Sequence, residues 1–255
     1  MFHRFHCAII AVERFQKVQK VEIIMKKEST RQRIRAFIER NKHGLLLLYF
    51  LIYLPWFGYL EKTVTTHFHV IHVGLDDKIP FCEYFIIPYF LWFAYIAWGL
   101  SYFYFKNKDE YFRLCAVLFT GMTVFLVIST LYPNGHYLRP TSFERDNIFV
   151  HLVQRLYATD TSTNLFPSIH VFNSIAVTQA VWHSENFRKN YVVRIGSAVL
   201  ATSIILSTMF LKQHSVFDVA TGFLMAIFLI SIVYRPTPVD VPVRQRKYEH
   251  KLNRI

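Results

Sequence analysis

The sequence predicts an all-α polytopic membrane protein, a bundle of six transmembrane helices with both termini in the cytoplasm. Three observations predict it. First, 53% of the 255 residues are hydrophobic and only 8 Gly and 9 Pro interrupt them, so several apolar runs approach the roughly 20 residues a helix needs to span a bilayer. Second, the Lys and Arg residues between those runs divide unevenly. Twenty-three fall on one side of the inferred bilayer, and only Lys62, Lys78, Arg139, Arg145, Arg155 and Lys212 fall on the other. Cytoplasmic loops carry such an excess. Third, the formal charge of +12 sits in tails and short loops, a distribution that fits membrane topology better than a nucleic-acid partner.

Residues 1–43 form a basic cytoplasmic segment. Its apolar stretch from Cys7 to Val12 is too short for a signal-peptide core, and no small-residue cleavage site follows. Met25-Lys-Lys reads as an alternative start, so the first 24 residues are expected to be dispensable. The membrane domain covers 44–234. Its spans run from about Gly44 to Leu60, Phe85 to Phe105, Phe112 to Tyr132, Ile169 to Trp182, Tyr191 to Leu211 and Val216 to Tyr234. The fourth is short and carries Asn173, Ser174 and Gln179, so it is expected to face the bundle. The other aromatic-rich spans, such as Tyr53 to Tyr59 and Tyr84 to Tyr104, are read as lipid-facing. Residues 235–255 form a basic cytoplasmic tail. Cys7, Cys82 and Cys115 lack metal-ligand spacing, and Cys115 reads as a core residue.

Two loops on the outer side are long. The first, Glu61 to Tyr84, holds Asp76, Asp77, Pro80 and Glu83. The second, Pro133 to Pro167, contains Ile148, Phe149, Leu152, Val153 and Leu156 on one helical face, with Gln154 and Arg155 off it. This predicts a short amphipathic helix at the interface, either walling a lipid entrance or covering the bundle.

Three clusters at the ends of apolar runs fall on this same outer side. In the third, His214 and Asp218 are four apart at a helix start and share a face. A carboxylate there can accept from one imidazole nitrogen and leave the other free to attack; taken alone, such a pair is more often structural. In the second, Pro167-Ser168-Ile169-His170, Pro suits the first turn of a helix. The unpaired amides behind it form an anion site, Ser168 adds a hydroxyl, and His170 can protonate a leaving oxygen. Alone this is a weak pattern, since capped helices with a nearby His are common. In the first, Arg139-Pro140, a guanidinium can hold phosphate oxygens bidentately or simply position a headgroup. Lys212 is a second candidate cation, or a snorkelling side chain.

Together these stretches resemble the membrane branch of the type 2 phosphatidic acid phosphatase superfamily, which shares its core with vanadium haloperoxidases. The family pattern is Lys-x6-Arg-Pro, Pro-Ser-Gly-His and Ser-Arg-x5-His-x3-Asp. The matching stretches are Tyr132 to Pro140, Pro167 to His170, and Ser207-Thr208-x5-His214-x3-Asp218. The resemblance spans roughly Gly44 to Tyr234. It implies that His214 forms a phosphohistidine, Asp218 orients it, His170 protonates the leaving oxygen, and Arg139, Ser168 and the amides near Ser168 and Ile169 hold the phosphoryl oxygens, with no metal or other cofactor required. Three positions depart: Tyr132 stands for the family Lys, Thr208 for its Arg, and Ile169 for its Gly. Two cations are thereby lost, each worth roughly 1.5–3 kcal/mol in charged hydrogen bonds, and Lys212 is a candidate replacement. Pro-Ser-x-His with Lys-x-His resembles the inositol phosphorylceramide synthase-type subgroup, which moves head groups between lipids.

The function expected is cleavage of a lipid phosphate or diphosphate at the outer face of the plasma membrane. Head-group transfer is the alternative, and a non-catalytic lipid carrier or scaffold the reading from another class. Among other residues, His67, His69 and His72 read as loop packing before metal ligands, His136 as a minor pocket candidate, and Asp160 to Asn164 as turn and cap before substrate contact.

Overall fold

The computed structural model describes residues 41–235, together with residues 31, 32, 35, 36, 38 and 39. The expectations for the first 24 residues, for Cys7 and Met25, and for the tail beyond 235 lie outside these. Two compact units are distinguished, Met1–Leu46 and Leu47–Ile255. In the first, residues 31, 32, 35, 36, 38 and 39 are helical and exposed, and Arg35 Nε donates to Glu39 Oε1 at 3.2 Å.

The second unit is mostly helical. Its α-helices are α1 (Phe50–Thr63), α2 (Ile86–Lys106), α3 (Lys108–Leu131), α4 (Ile148–Thr159), α5 (Ile169–His183), α6 (Tyr191–Phe210) and α7 (Val216–Val233). Among the described residues five helical segments are long and apolar enough to cross a membrane: Lys42–Thr63, Glu83–Lys106, Lys108–Leu131, Tyr191–Phe210 and Val216–Val233. Their ends lie within a few residues of the predicted spans. The first span differs most, because its leading part, Lys42–Tyr49, is a 3-10 segment. Span three starts earlier than its apolar run because the Asn107 side chain accepts from Glu110 N at 3.1 Å and caps it.

The fourth predicted span is α5. It has 15 residues, about 22 Å of helix at 1.5 Å per residue, against a hydrocarbon core of about 30 Å. Val171, Phe172, Asn173, Ser174, Ala176, Val177, Ala180 and Val181 are all buried. As its polar residues predicted, this helix faces the bundle, and the longer helices enclose it. The main core forms around it from α2, α3, α6 and α7, with Phe103, Leu114, Leu118, Phe172, Val177 and Ile204; Cys115 lies in that core as read from sequence. Gly222 of α7 permits a close approach of two helix backbones. A Cβ there would sit 2.7 Å from the Ser168 carbonyl oxygen, so only glycine lets α7 meet the start of α5.

The lipid-facing reading of the aromatic runs holds only in part. Tyr53, Tyr89, Tyr95 and Phe103 are buried, because one face of each helix must turn inward once the bundle closes. The amphipathic helix in the second loop is present as α4, capped by Asn147, whose side chain accepts from Phe149 N and Val150 N. Phe149, Leu152, Val153 and Leu156 pack against Ile86, Tyr89 and Leu211. The packed face is rotated from the predicted one: Val150 is buried and Ile148 is 67% exposed.

Two two-residue strands, β1 (His69–Val70) and β2 (Asn134–Gly135), pair in parallel with His69 opposite Asn134. Gly135 also bridges Thr163, and a Cβ on it would lie 2.6 Å from the Ser162 carbonyl oxygen. This small knot joins the two long loops beside the helix ends that carry the three clusters.

Candidate active site

The site is assembled from two helix starts and the loops over them. At α7, Ser215 is the N-cap and Asp218 completes a capping box, its Oδ2 accepting from Ser215 N at 2.9 Å. The preceding turn doubles back, so that Gln213 N and His214 N both donate to the Thr208 carbonyl, at 2.9 and 3.0 Å. At α5, Ser168 is the N-cap: its N–H donates to the Asp218 carbonyl at 3.1 Å and its hydroxyl accepts from Val171 N at 3.5 Å. The two helix starts are therefore tied directly to each other.

This arrangement brings His170 Nδ1 within 3.2 Å of His214 Nε2. His214 Nδ1 lies 3.6 Å from Asp218 Oδ2, longer than a hydrogen bond. Neither His214 Nδ1 nor Asp218 Oδ1 has another protein partner, and both are buried. With the proton on Nδ1 toward the carboxylate, Nε2 presents its lone pair, accepting from His170 Nδ1–H. Burial, reinforced by the Arg139 charge, pushes the His214 imidazole down to about 3, so it is neutral at ordinary pH. The His170 ring packs on Tyr89 and Trp92, with centroids 4.8 and 4.4 Å away.

A cavity of about 30 Å³ adjoins the imidazoles, lined by Glu61, Tyr89, Asp160, Asn164, Ile169, His170, Gln213 and His214 among others. Tyr89, Asp160, Ile169 and His170 also border a much larger apolar groove of about 610 Å³, which continues past Phe57, Trp92, Leu100, Leu118 and Met122. Leu156 and Thr159 of α4 wall it. The same helix covers the bundle and flanks the groove, so both sequence readings of it hold.

The predicted phosphate-binding residues take different places. Ile169 lines the cavity. Ser168 is fully buried in its capping role. Arg139 Nη1 donates to the Asp160 carbonyl at 2.7 Å and to that of Tyr157 at 3.4 Å, and Nη2 donates to the Thr161 carbonyl at 2.7 Å and Gln213 Oε1 at 2.5 Å. Its guanidinium lies 4.6 Å from the Tyr157 ring centroid, and its buried Nε has no protein partner. Lys212 turns away from the cavity: with φ of 51°, it sends Nζ to the Asp76 carbonyl at 2.6 Å. Tyr132, at the family's Lys position, is an exposed residue stacked on His69 at 4.2 Å. Thr208, at its Arg position, holds the His214 turn through its carbonyl. His72 pairs with Asp77 at 2.9 Å.

Several residues around the site gave no clear sequence signal. Asp76 is buried and accepts from Val73 N, Ser215 Oγ and Val216 N at 2.7–2.9 Å. It anchors the first long loop to the start of α7. Glu61 accepts from Thr161 N, Thr161 Oγ1 and Asn164 Nδ2. Asp160 accepts from Tyr89 OH at 3.3 Å, and burial followed by the Glu61 charge pushes its carboxyl up to about 6. His136 lies beneath rather than in the cavity. It accepts from Leu138 N at Nδ1 (3.2 Å) and donates from Nε2 to the Gln213 carbonyl (3.0 Å), and burial pushes it down to about 4. Asp160 and Asn164 do make the turn read from sequence, but both also line the cavity.

Fold and site together define a helical protein with apolar membrane-length segments and a His–His–Asp constellation at two adjoining helix starts. Residues 139–239 match the family model of the PAP2 superfamily. The matched stretch begins at Arg139 and takes in Ser168, His170, His214 and Asp218. Comparisons with curated proteins and with solved structures gave no match. The family match supports an enzyme acting on phosphate esters, and the apolar helices support an integral membrane protein.

Proposed function

We propose that this protein is an integral membrane lipid phosphatase with six spans, cytoplasmic termini and its site at the extracytoplasmic face, in the plasma membrane. It cleaves a lipid phosphate or diphosphate through a phosphohistidine. The observation that carries this reading is the 3.2 Å His170–His214 contact at the junction of a small cavity of mixed lining and a 610 Å³ apolar groove. A phosphate head reaches the imidazoles while its hydrocarbon tail stays among Phe57, Trp92 and Leu118.

The proposed reaction has two half-reactions. The phosphoryl group enters between the two imidazoles, separating them. His214 Nε2 attacks phosphorus, and the bond to the lipid oxygen breaks. His170, made an imidazolium by a proton that the phosphate monoanion brings in, gives that proton to the oxygen and is left neutral. Asp218 balances the imidazolium character of His214 as the phosphohistidine forms. Water then attacks phosphorus, His170 takes its proton, and the pair returns to its starting state. Arg139, through its buried Nε and its nearby charge, stabilises the developing anion.

Transfer to an alcohol in place of water is the second reading. It is favoured by a site poor in cations, in which all four Nη contacts of Arg139 go to protein oxygens and Lys212 is bound to Asp76.

The test is phosphate release from a panel of phosphatidic acid, lysophospholipid and polyprenyl diphosphate substrates by the purified protein in detergent. His214→Ala is expected to abolish turnover, and His170→Ala to lower it about 10²–10⁴-fold. Vanadate, a phosphate mimic, is expected to inhibit. Release unaffected by either substitution sinks the enzyme reading and favours a carrier. Turnover only with an added alcohol selects transfer.

A further inference from the structure

The cavity beside the two imidazoles has a feature that the phosphohistidine reading does not use. Two side chains that line it, Asn164 and Gln213, are 3% and 1% exposed, and each leaves one polar atom without a protein partner: Asn164 Oδ1 and Gln213 Nε2. Their orientations are forced. Asn164 Nδ2 donates to Glu61 Oε1 at 3.2 Å, and a carboxylate only accepts, so the free atom is the acceptor Oδ1. Gln213 Oε1 accepts from Arg139 Nη2, and a guanidinium only donates, so the free atom is the donor Nε2. Asn164 is held in this pose by a left-handed backbone, φ 55°, with its N–H on the Asn134 carbonyl at 2.7 Å.

An orphan buried donor and an orphan buried acceptor on one cavity call for a ligand that is both. A hydroxyl is such a group, and a phosphate oxygen is not. The carboxylates of Glu61 and Asp160, which line the same cavity, disfavour an anion further. At about 30 Å³ the cavity has room for a water or a single hydroxyl.

We propose that this cavity is the acceptor subsite, in which Asn164 and Gln213 hold the oxygen of a water or a primary alcohol for attack on phosphorus. The inference rests on the phosphohistidine reading above. In the step it describes, the acceptor O–H points to Asn164 Oδ1 or His170, Gln213 Nε2–H binds one lone pair, and the other lone pair faces phosphorus. The new O–P bond forms as the Nε2–P bond breaks, the bonding electrons return to His214 Nε2, and the acceptor's proton passes to His170. Asn164 and Gln213 thereby set which acceptor is used, while the first half-reaction draws on other groups.

The experiment compares formation and decay of the phosphoenzyme in the full-length protein. The probes are phosphatidic acid and a polyprenyl diphosphate, each ³²P-labelled at the terminal phosphate, and methanol is added as a competing acceptor. Gln213→Glu keeps an oxygen for Arg139 and removes the donor. Asn164→Gly suits the left-handed backbone and removes the acceptor. In both, the ratio of decay rate to formation rate of the label is expected to fall at least about tenfold, and the ratio of methyl phosphate to free phosphate to shift. Formation and decay slowed in parallel, with an unchanged product ratio, is what a structural role predicts and overturns the proposal. If the wild-type protein takes no label from either probe, the phosphohistidine reading fails and the acceptor subsite fails with it. Thermal unfolding identifies a variant that does not fold, and the other variant then decides.

Discussion

His136 and His214 are both buried imidazoles, and burial favours the neutral form of each. His214 needs an unprotonated Nε2 for attack, while His136 uses both nitrogens to hold the backbone at Leu138 and Gln213. Its depressed value, about 4 against 6.5, means the unfolded chain binds a proton more readily than the native one. Its contribution is therefore fully present above about pH 6.5 and is lost as pH falls toward 4, by at most roughly 3 kcal/mol. Asp160 runs the other way: held up at about 6 against 3.8, it favours the native state at low pH and loses that contribution as pH rises through 6. The melting temperature of the wild-type protein is expected to fall between pH 6.5 and 4, and His136→Gln to flatten that slope. Equal slopes for the two proteins would remove His136 from the account. At this scale the sequence singled out His170, His214 and Asp218 from the Pro-Ser-x-His pattern and the i,i+4 spacing, although His214 stands before the Ser215 N-cap and not on a helix face with Asp218. It did not show Asn164 or Gln213, whose roles depend on which of their atoms remain unpaired after Glu61 and Arg139 have bound.

At the scale of elements, the site depends on how closely α5 and α7 start together. Ser168 N donates to the Asp218 carbonyl, and Gly222 is the residue that lets the helices approach. Gly222→Ala puts a Cβ 2.7 Å from a backbone oxygen that has little freedom to move. Expected consequences are a loss of about 1–3 kcal/mol in thermal unfolding and a parallel loss of turnover, because His170 and His214 shift together. Gly196→Ala is the control: nothing lies within 4 Å of its Cβ position, and alanine in a helix interior is expected to be neutral or to stabilise by up to about 1 kcal/mol. Similar effects of both would mean that helix propensity, not the close approach, decides. Asp76 makes a second element-level case. Asp76→Ala removes the acceptors of two donors at the start of α7, Ser215 Oγ and Val216 N, and of Val73 N in the first long loop; charged hydrogen bonds of this kind are worth roughly 1.5–3 kcal/mol each, so a loss of at least about 3 kcal/mol is expected in denaturation. The helices themselves were legible from hydropathy, and α4 from its periodicity. Its rotated face was not, because burial of Val150 and exposure of Ile148 depend on the surfaces of α2 and the 211 turn it meets.

For the whole molecule, the groove is the proposed seat of the lipid tail. It runs along α2 from Tyr89 at the imidazoles to Ala97 and Leu100, about 17 Å at 1.5 Å per residue. Ala97→Trp blocks its far end. The ratio of kcat/KM for short-chain over long-chain lipid phosphates is expected to rise about tenfold or more, in line with 1–3 kcal/mol for a methylene that no longer fits. An unchanged chain-length profile would mean that the tail lies elsewhere. The sequence by itself determined where the apolar helices run and which titratable residues stand at their ends, because hydropathy and i,i+4 spacing are local properties. Only the tertiary structure decided that Lys212 binds Asp76, that Arg139 is engaged by the 157–161 carbonyls and Gln213, and that Glu61, Asn164 and Gln213 close around one cavity. Those pairings join positions up to about 140 residues apart, and no local pattern encodes which of many polar side chains will meet when the bundle closes.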